Sequence, residues 1–153
     1  MSVADTALYC HKRSPMKYIL VLLAIFGIVV SSLALREHYR EEGDSPCSIN
    51  ERWDCGIVNK SPYAVLFGIP VAALGLAGYL LMGVLAWRRA YRVLLVFVLA
   101  GLAFSLYLAH IEKDILGVWC VYCVISLGII SLMTLLSAVI AVVVRKKPAQ
   151  PGA

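Results

Sequence analysis

VWCVYCVISLGIISLMTLLSAVIAVVV, residues 118–144, is a run of twenty-seven residues without a charge, opened by two cysteines three apart. About twenty apolar residues suffice to cross roughly 30 Å of hydrocarbon as a helix. The run therefore predicts a membrane span with Cys120 and Cys123 at its N-terminal end. Working outward, three more runs of this kind precede it: Tyr18–Leu35, Tyr63–Trp87 and Val93–Ile111. Backbone donors cannot stay unpaired in lipid, so all four should be helical, and the alternating ten-residue segments of a barrel are absent. The composition agrees. The chain has 153 residues, 61% of them hydrophobic, and a mean hydropathy of +0.85. A soluble domain is nearer 45–50% apolar. The expected fold is an all-α integral membrane bundle of four transmembrane helices. It comprises a cytoplasmic segment 1–17, a domain 18–144 with one long external loop 36–61, and a cytoplasmic tail 145–153.

Within the second run, Pro70 should kink the helix. Gly68, Gly75, Gly78 and Gly83 should give it a small-residue packing surface. Charge sets the orientation. Lys12, Arg13 and Lys17 precede the first run, Arg88, Arg89 and Arg92 fill the second-to-third turn, and Arg145, Lys146 and Lys147 follow the fourth. These nine basic residues stand against five on the other side, which also carries eight acids. The bias predicts cytoplasmic termini and an external face for the loop 36–61 and for the link Glu112–Gly117. The acids of the first loop should be solvated. The first run exceeds a signal-peptide core and is read as a retained helix. The net charge of +5 is accounted for by these clusters, and nothing suggests a nucleic-acid partner.

This topology, derived without the cysteines, brings Cys47, Cys55, Cys120 and Cys123 to one face in an oxidising compartment. Cys-x-x-Cys at a helix start combines a closable disulfide with N–H groups that favour the thiolate, the reacting species. A static staple gains little from so short a loop. Zinc is disfavoured because seven residues separate Cys47 from Cys55. The loop pair alone could be a plain staple, but a second pair beside it can exchange disulfides with it. No haem or dinucleotide motif is present, so elimination points to a lipid-soluble quinone as electron acceptor and to no metal. Cys10 reads as a cytoplasmic bystander thiol. His110 reads as an interfacial histidine, with proton relay as the minority role. Trp119 and Tyr122, with other aromatics near the span ends, fit an interfacial belt. These two flank the active cysteines and could line a pocket or dock a partner.

The loop pair, the Cys-x-x-Cys at the fourth helix, Ser61 six residues beyond Cys55, and the segments Ser61-Pro62-Tyr63 and Phe67-Gly68-Ile69-Pro70 together resemble the vitamin K epoxide reductase family in its bacterial form, over about residues 16–145. The resemblance implies that Cys120 and Cys123 are catalytic, with Cys123 facing the quinone and Cys120 exchanging with Cys55. It implies that Cys47 and Cys55 shuttle electrons from a reduced partner. Ser61 would donate a hydrogen bond in a quinone pocket whose other expected members are Phe67, Trp119 and Tyr122. The quinone would be of ubiquinone or menaquinone/phylloquinone type. The partner would be a separate thioredoxin-fold, DsbA-like exported protein, because this sequence carries no fused thioredoxin-like domain. The protein would sit in the inner (plasma) membrane and support disulfide formation in exported proteins. Leu127 and Ala64 replace a tyrosine and an asparagine of the animal enzymes, so vitamin K epoxide is a secondary expectation, alongside quinone recycling. The DsbB-type quinone reductases share the chemistry but carry the two pairs in reverse order. The remaining alternative is a structural membrane protein with static disulfides.

Overall fold

The computed structural model describes residues 15–41 and 46–145. Four long helices form the body: α1 (Pro15–Tyr39), α3 (Val71–Trp87), α4 (Tyr91–Ile111) and α5 (Val121–Arg145). Between α1 and α3 lie a short helix α2 (Cys55–Lys60), a 3-10 turn (Pro62–Ala64) and a two-stranded hairpin of β1 (Val65–Leu66) and β2 (Ile69–Pro70). Cys10, Lys12, Arg13, Lys146 and Lys147, and two of the eight outer acids, Glu42 and Asp44, lie outside the described residues.

The bundle closes as a ring, with α1 against α3 and α5, α3 against α4, and α4 against α5. On α1 the buried positions Leu20, Ala24, Gly27, Val30, Ser31, Ala34 and Glu37 recur every three or four residues and so share one face. The opposite face carries exposed Leu22, Ile25, Phe26 and Val29, a surface suited to lipid. Close approach explains the small residues. A Cβ at Gly27 would run into the Tyr79 ring, one at Gly83 would meet the Ala24 Cβ at 3.3 Å, and one at Gly101 would meet the Ile130 Cδ1 at 3.2 Å. Tyr79 also bonds through its hydroxyl to Ser126 Oγ at 2.8 Å, tying α3 to α5.

Three expectations are corrected. The second apolar run is not one helix from Tyr63. Phe67 and Gly68 take φ of 52° and 80°, turning the chain so that Val65 pairs with Pro70 and Leu66 with Ile69. Pro70 then precedes α3 instead of kinking it, so Gly68 leaves the packing surface. The 17 residues of α3 span about 25 Å at ~1.5 Å each. Among the described residues three helical stretches, Pro15–Tyr39, Tyr91–Leu116 and Val121–Val143, are long and apolar enough to cross a membrane, and α3 is apolar but shorter. Second, the segment 36–61 is not all irregular: α1 runs on to Tyr39 and residues 55–60 are helical. Glu37, expected in solvent, is therefore buried on α1, with Arg40 at 3.5 Å. Third, the link Glu112–Gly117 continues α4 as a π-helical turn (Glu112–Leu116) and ends at Gly117 with φ of 67°. Glu112 is only 2% exposed.

Candidate active site

Asp54 starts α2 by accepting the Ile57 N–H at 3.0 Å. This places Cys55 in the first turn, where it forms a disulfide with Cys47 across a Cα–Cα distance of 5.5 Å. The same loop is stitched to the segment before α5. Trp119 N donates to Arg52 O at 2.8 Å, and Asp54 N donates to Trp119 O at 3.1 Å. The Trp53 and Trp119 rings lie 6.4 Å apart above this ladder. Two backbone bonds thus hold the loop disulfide beside the start of α5. Cys47, Cys55 and Cys120 are buried in one cluster with Val58 and Val118, and Tyr122 and Cys123 pack against it. Cys120 and Cys123 are free thiols.

Cys120 precedes α5 and is fully buried. Asn59 Nδ2 reaches its sulfur at 3.5 Å and also donates to the Cys55 carbonyl at 2.9 Å. His38 Nδ1 donates to the Asn59 carbonyl at 2.6 Å, joining α1 to this network. A hydrogen bond from the Cys123 thiol holds Cys120 below the ordinary thiol range, outweighing the upward push of burial. Glu112 Oε2 accepts the Cys120 backbone N–H at 3.1 Å.

A largely apolar cavity of about 360 Å3 opens beside Cys123 between the four long helices, within the size range of small-ligand sites. Of the four clustered cysteines only Cys123 lines it. Tyr79, Phe97, Phe104 and Tyr122 supply aromatic wall, while Ser61, Asn59 and Glu112 supply polar atoms. A flat ring with a carbonyl at each end suits such a lining, because it needs apolar faces and few hydrogen bonds.

The expected residues divide. Ser61 and Tyr122 line this cavity with Cys123, whereas Phe67 and Trp119 are not part of its wall. Phe67 is 95% exposed at the hairpin tip, and Trp119 faces Trp53. The Ser61 hydroxyl donates to the Val58 carbonyl at 2.8 Å, so donation into the cavity requires it to rotate. His110 is exposed and pairs with Asp114 at 2.6 Å, away from the cavity wall. Asn59, Tyr79 and Glu112 were not anticipated as site residues. Asn59 lies one helical turn beyond Cys55, a cue available once α2 is known to be a helix. Glu112 had been counted only as a loop charge.

Comparison with known proteins supplies the context. No curated protein matches the chain. The model of the vitamin K epoxide reductase family matches residues 18–139. That match runs through all four clustered cysteines and most of the helical frame around the cavity, and on this ground the chain belongs to the vitamin K epoxide reductase family, as a membrane oxidoreductase.

Proposed function

We propose that the protein is a quinone-linked thiol oxidase acting on the non-cytoplasmic face of the membrane. Electrons enter from a reduced thioredoxin-fold partner at Cys47. Thiol–disulfide exchange between Cys55 and Cys120 moves them inward through a mixed disulfide. The Cys120–Cys123 dithiol then closes to a disulfide, and a membrane quinone bound beside Cys123 takes up the two electrons. The net result is disulfide formation in exported proteins. One observation carries this reading: Cys47, Cys55 and Cys120 are buried in one cluster with Cys123 packed against it, and only Cys123 among them opens onto the apolar cavity.

Within that scheme the residues have separable tasks. Asn59 and the Cys123 thiol stabilise the Cys120 thiolate for exchange. The Trp119–Arg52 and Asp54–Trp119 bonds hold the two pairs in register. Tyr79, Tyr122 and the aromatic wall orient the ring and exclude water from the cavity. The test is reduction of decylubiquinone or menadione by purified protein supplied with a reduced thioredoxin-fold protein. Replacing Cys120 or Cys123 by serine should abolish turnover. Cys123→Ala should accumulate a Cys55–Cys120 mixed disulfide, detected by non-reducing peptide mapping. Turnover that survives either serine substitution defeats the proposal.

A further inference from the structure

Glu112 has no role in the scheme above, yet it is the acidic side chain in the wall of the cavity that Cys123 faces. It stands 2% exposed in the π-helical turn after α4. Its Oε2 is fixed by the Cys120 N–H at 3.1 Å. Its Oε1 is buried and has no hydrogen-bond partner among the described residues. Cys123 lines the same cavity wall, and its thiol is the neighbouring side chain that favours the ionised carboxyl. Burying a carboxyl without a cation is costly and calls for a reason beyond packing. A purely structural acceptor for one backbone N–H would serve as well with an amide.

We propose that Glu112 is a catalytic acid–base residue, which takes the Cys123 proton and delivers it into the cavity as the Cys120–Cys123 disulfide closes. The inference rests on the quinone-linked reading above. The Cys123 thiol has one proton, and two groups stand ready for it: the Cys120 sulfur and the unpartnered Glu112 oxygen in the shared cavity wall. Directed at Cys120, it stabilises the thiolate that exchanges with Cys55. Directed at Glu112, it leaves Cys123 free to form the new bond. The balance is one Cys120 thiolate, one Cys123 thiol, one quinone and one solvent proton on the left. On the right stand one disulfide and one hydroquinone. The S–H bond of Cys123 breaks and the S–S bond forms. Two electrons go to the quinone, with one proton passed through Glu112 and one from water. Fixing Oε2 to the Cys120 amide aims the carboxyl at the sulfur it serves, and general acid–base groups so placed contribute roughly 10²–10⁴-fold.

The experiment uses the full chain in nanodiscs, with dithiothreitol as reductant and decylubiquinone or menadione as acceptor. Glu112→Gln keeps the size and an oxygen acceptor for the Cys120 N–H but not the titrating group. Its kcat should fall by about 100-fold or more with KM for quinone within about twofold, and one limb of the kcat–pH profile should disappear. Independently of turnover, the infrared S–H stretch of reduced, quinone-free protein should move to higher frequency in Glu112→Gln, because an amide is a weaker acceptor than a carboxylate. If that variant does not fold, Glu112→Asp takes its place, with a reduced kcat and a retained pH profile expected. A wild-type kcat in either variant, or an unmoved S–H band in Glu112→Gln, overturns the role of Glu112 alone. A wild-type protein that exchanges thiols but reduces neither quinone overturns the quinone-linked reading, and this inference with it.

Discussion

The Cys120 sulfur is surrounded by groups that act on its charge in opposite senses. Asn59 Nδ2 and the Cys123 thiol donate to it, while burial and the Glu112 carboxylate oppose ionisation. The donors prevail, so Cys120 loses its proton at a lower pH than an ordinary thiol. Reactivity that depends on the thiolate is then present above the lowered value and lost as pH falls through it. Removing a donor moves that boundary upward. Asn59→Leu, compared in a Cys47→Ser, Cys55→Ser background, should shift the midpoint of Cys120 modification by methyl methanethiosulfonate to higher pH. Below the midpoint it should slow the reaction about tenfold, the equivalent of roughly 1.4 kcal/mol for a hydrogen bond to a charged group. An unchanged midpoint would mean that Asn59 only braces α2. The four cysteines were legible from spacing and topology. Asn59 was not, because its relevance depends on a six-residue helix too short to leave a periodic signature. Glu112 was hidden for a related reason. A charged residue just past an apolar run reads as a solvated loop, whereas a π-helical continuation of α4 turns it inward.

Among the elements, α1, α4 and α5 were visible as apolar runs because lipid imposes length and composition together. Their ends moved by a few residues, as fraying and caps allow. The start of α3 was misplaced because Tyr63–Pro70 is as apolar as the helix it precedes, so hydropathy cannot separate hairpin from helix. The sequence cue was Gly68-Ile69-Pro70, a turn residue followed closely by a proline, which a helix interior does not accept. What hydropathy also misses is which helices touch, and here the tightest α1–α3 approach is made at one glycine. Tyr79 lies over Gly27 where any side chain would intrude, and its hydroxyl is anchored on Ser126. Gly27→Ala should therefore destabilise the bundle by about 1–3 kcal/mol through overpacking. Combining it with Tyr79→Ala should recover part of that loss, giving a non-additive cycle. Thermal unfolding in detergent provides the measurement. Additive losses would mean that the two residues do not meet.

At the scale of the whole molecule, the relay needs the loop pair and the helix-start pair at one end of the bundle, and the positive-inside asymmetry needs that end to be external. The first requirement is met by the backbone ladder from Arg52 and Asp54 to Trp119. The second is a matter of charge. Arg88 and Arg89 close α3 at the opposite end, and Lys17 lies beside Trp87 there, its Nζ 4.7 Å from the ring centroid. Aromatics at span ends belong to either interface, whereas basic residues there favour the cytoplasmic side. The asymmetry predicts opposite accessibility for two engineered cysteines in a chain stripped of its own. Glu51→Cys should react with an impermeant maleimide in intact cells. Arg89→Cys should react only after permeabilisation. The disulfide chemistry makes the same demand, since a stable Cys47–Cys55 bond belongs in an oxidising compartment. Were Glu51→Cys silent and Arg89→Cys labelled in intact cells, the cysteine cluster would face a reducing cytosol. The bundle and its cavity would stand, but the direction of electron flow from exported thiols to quinone would not.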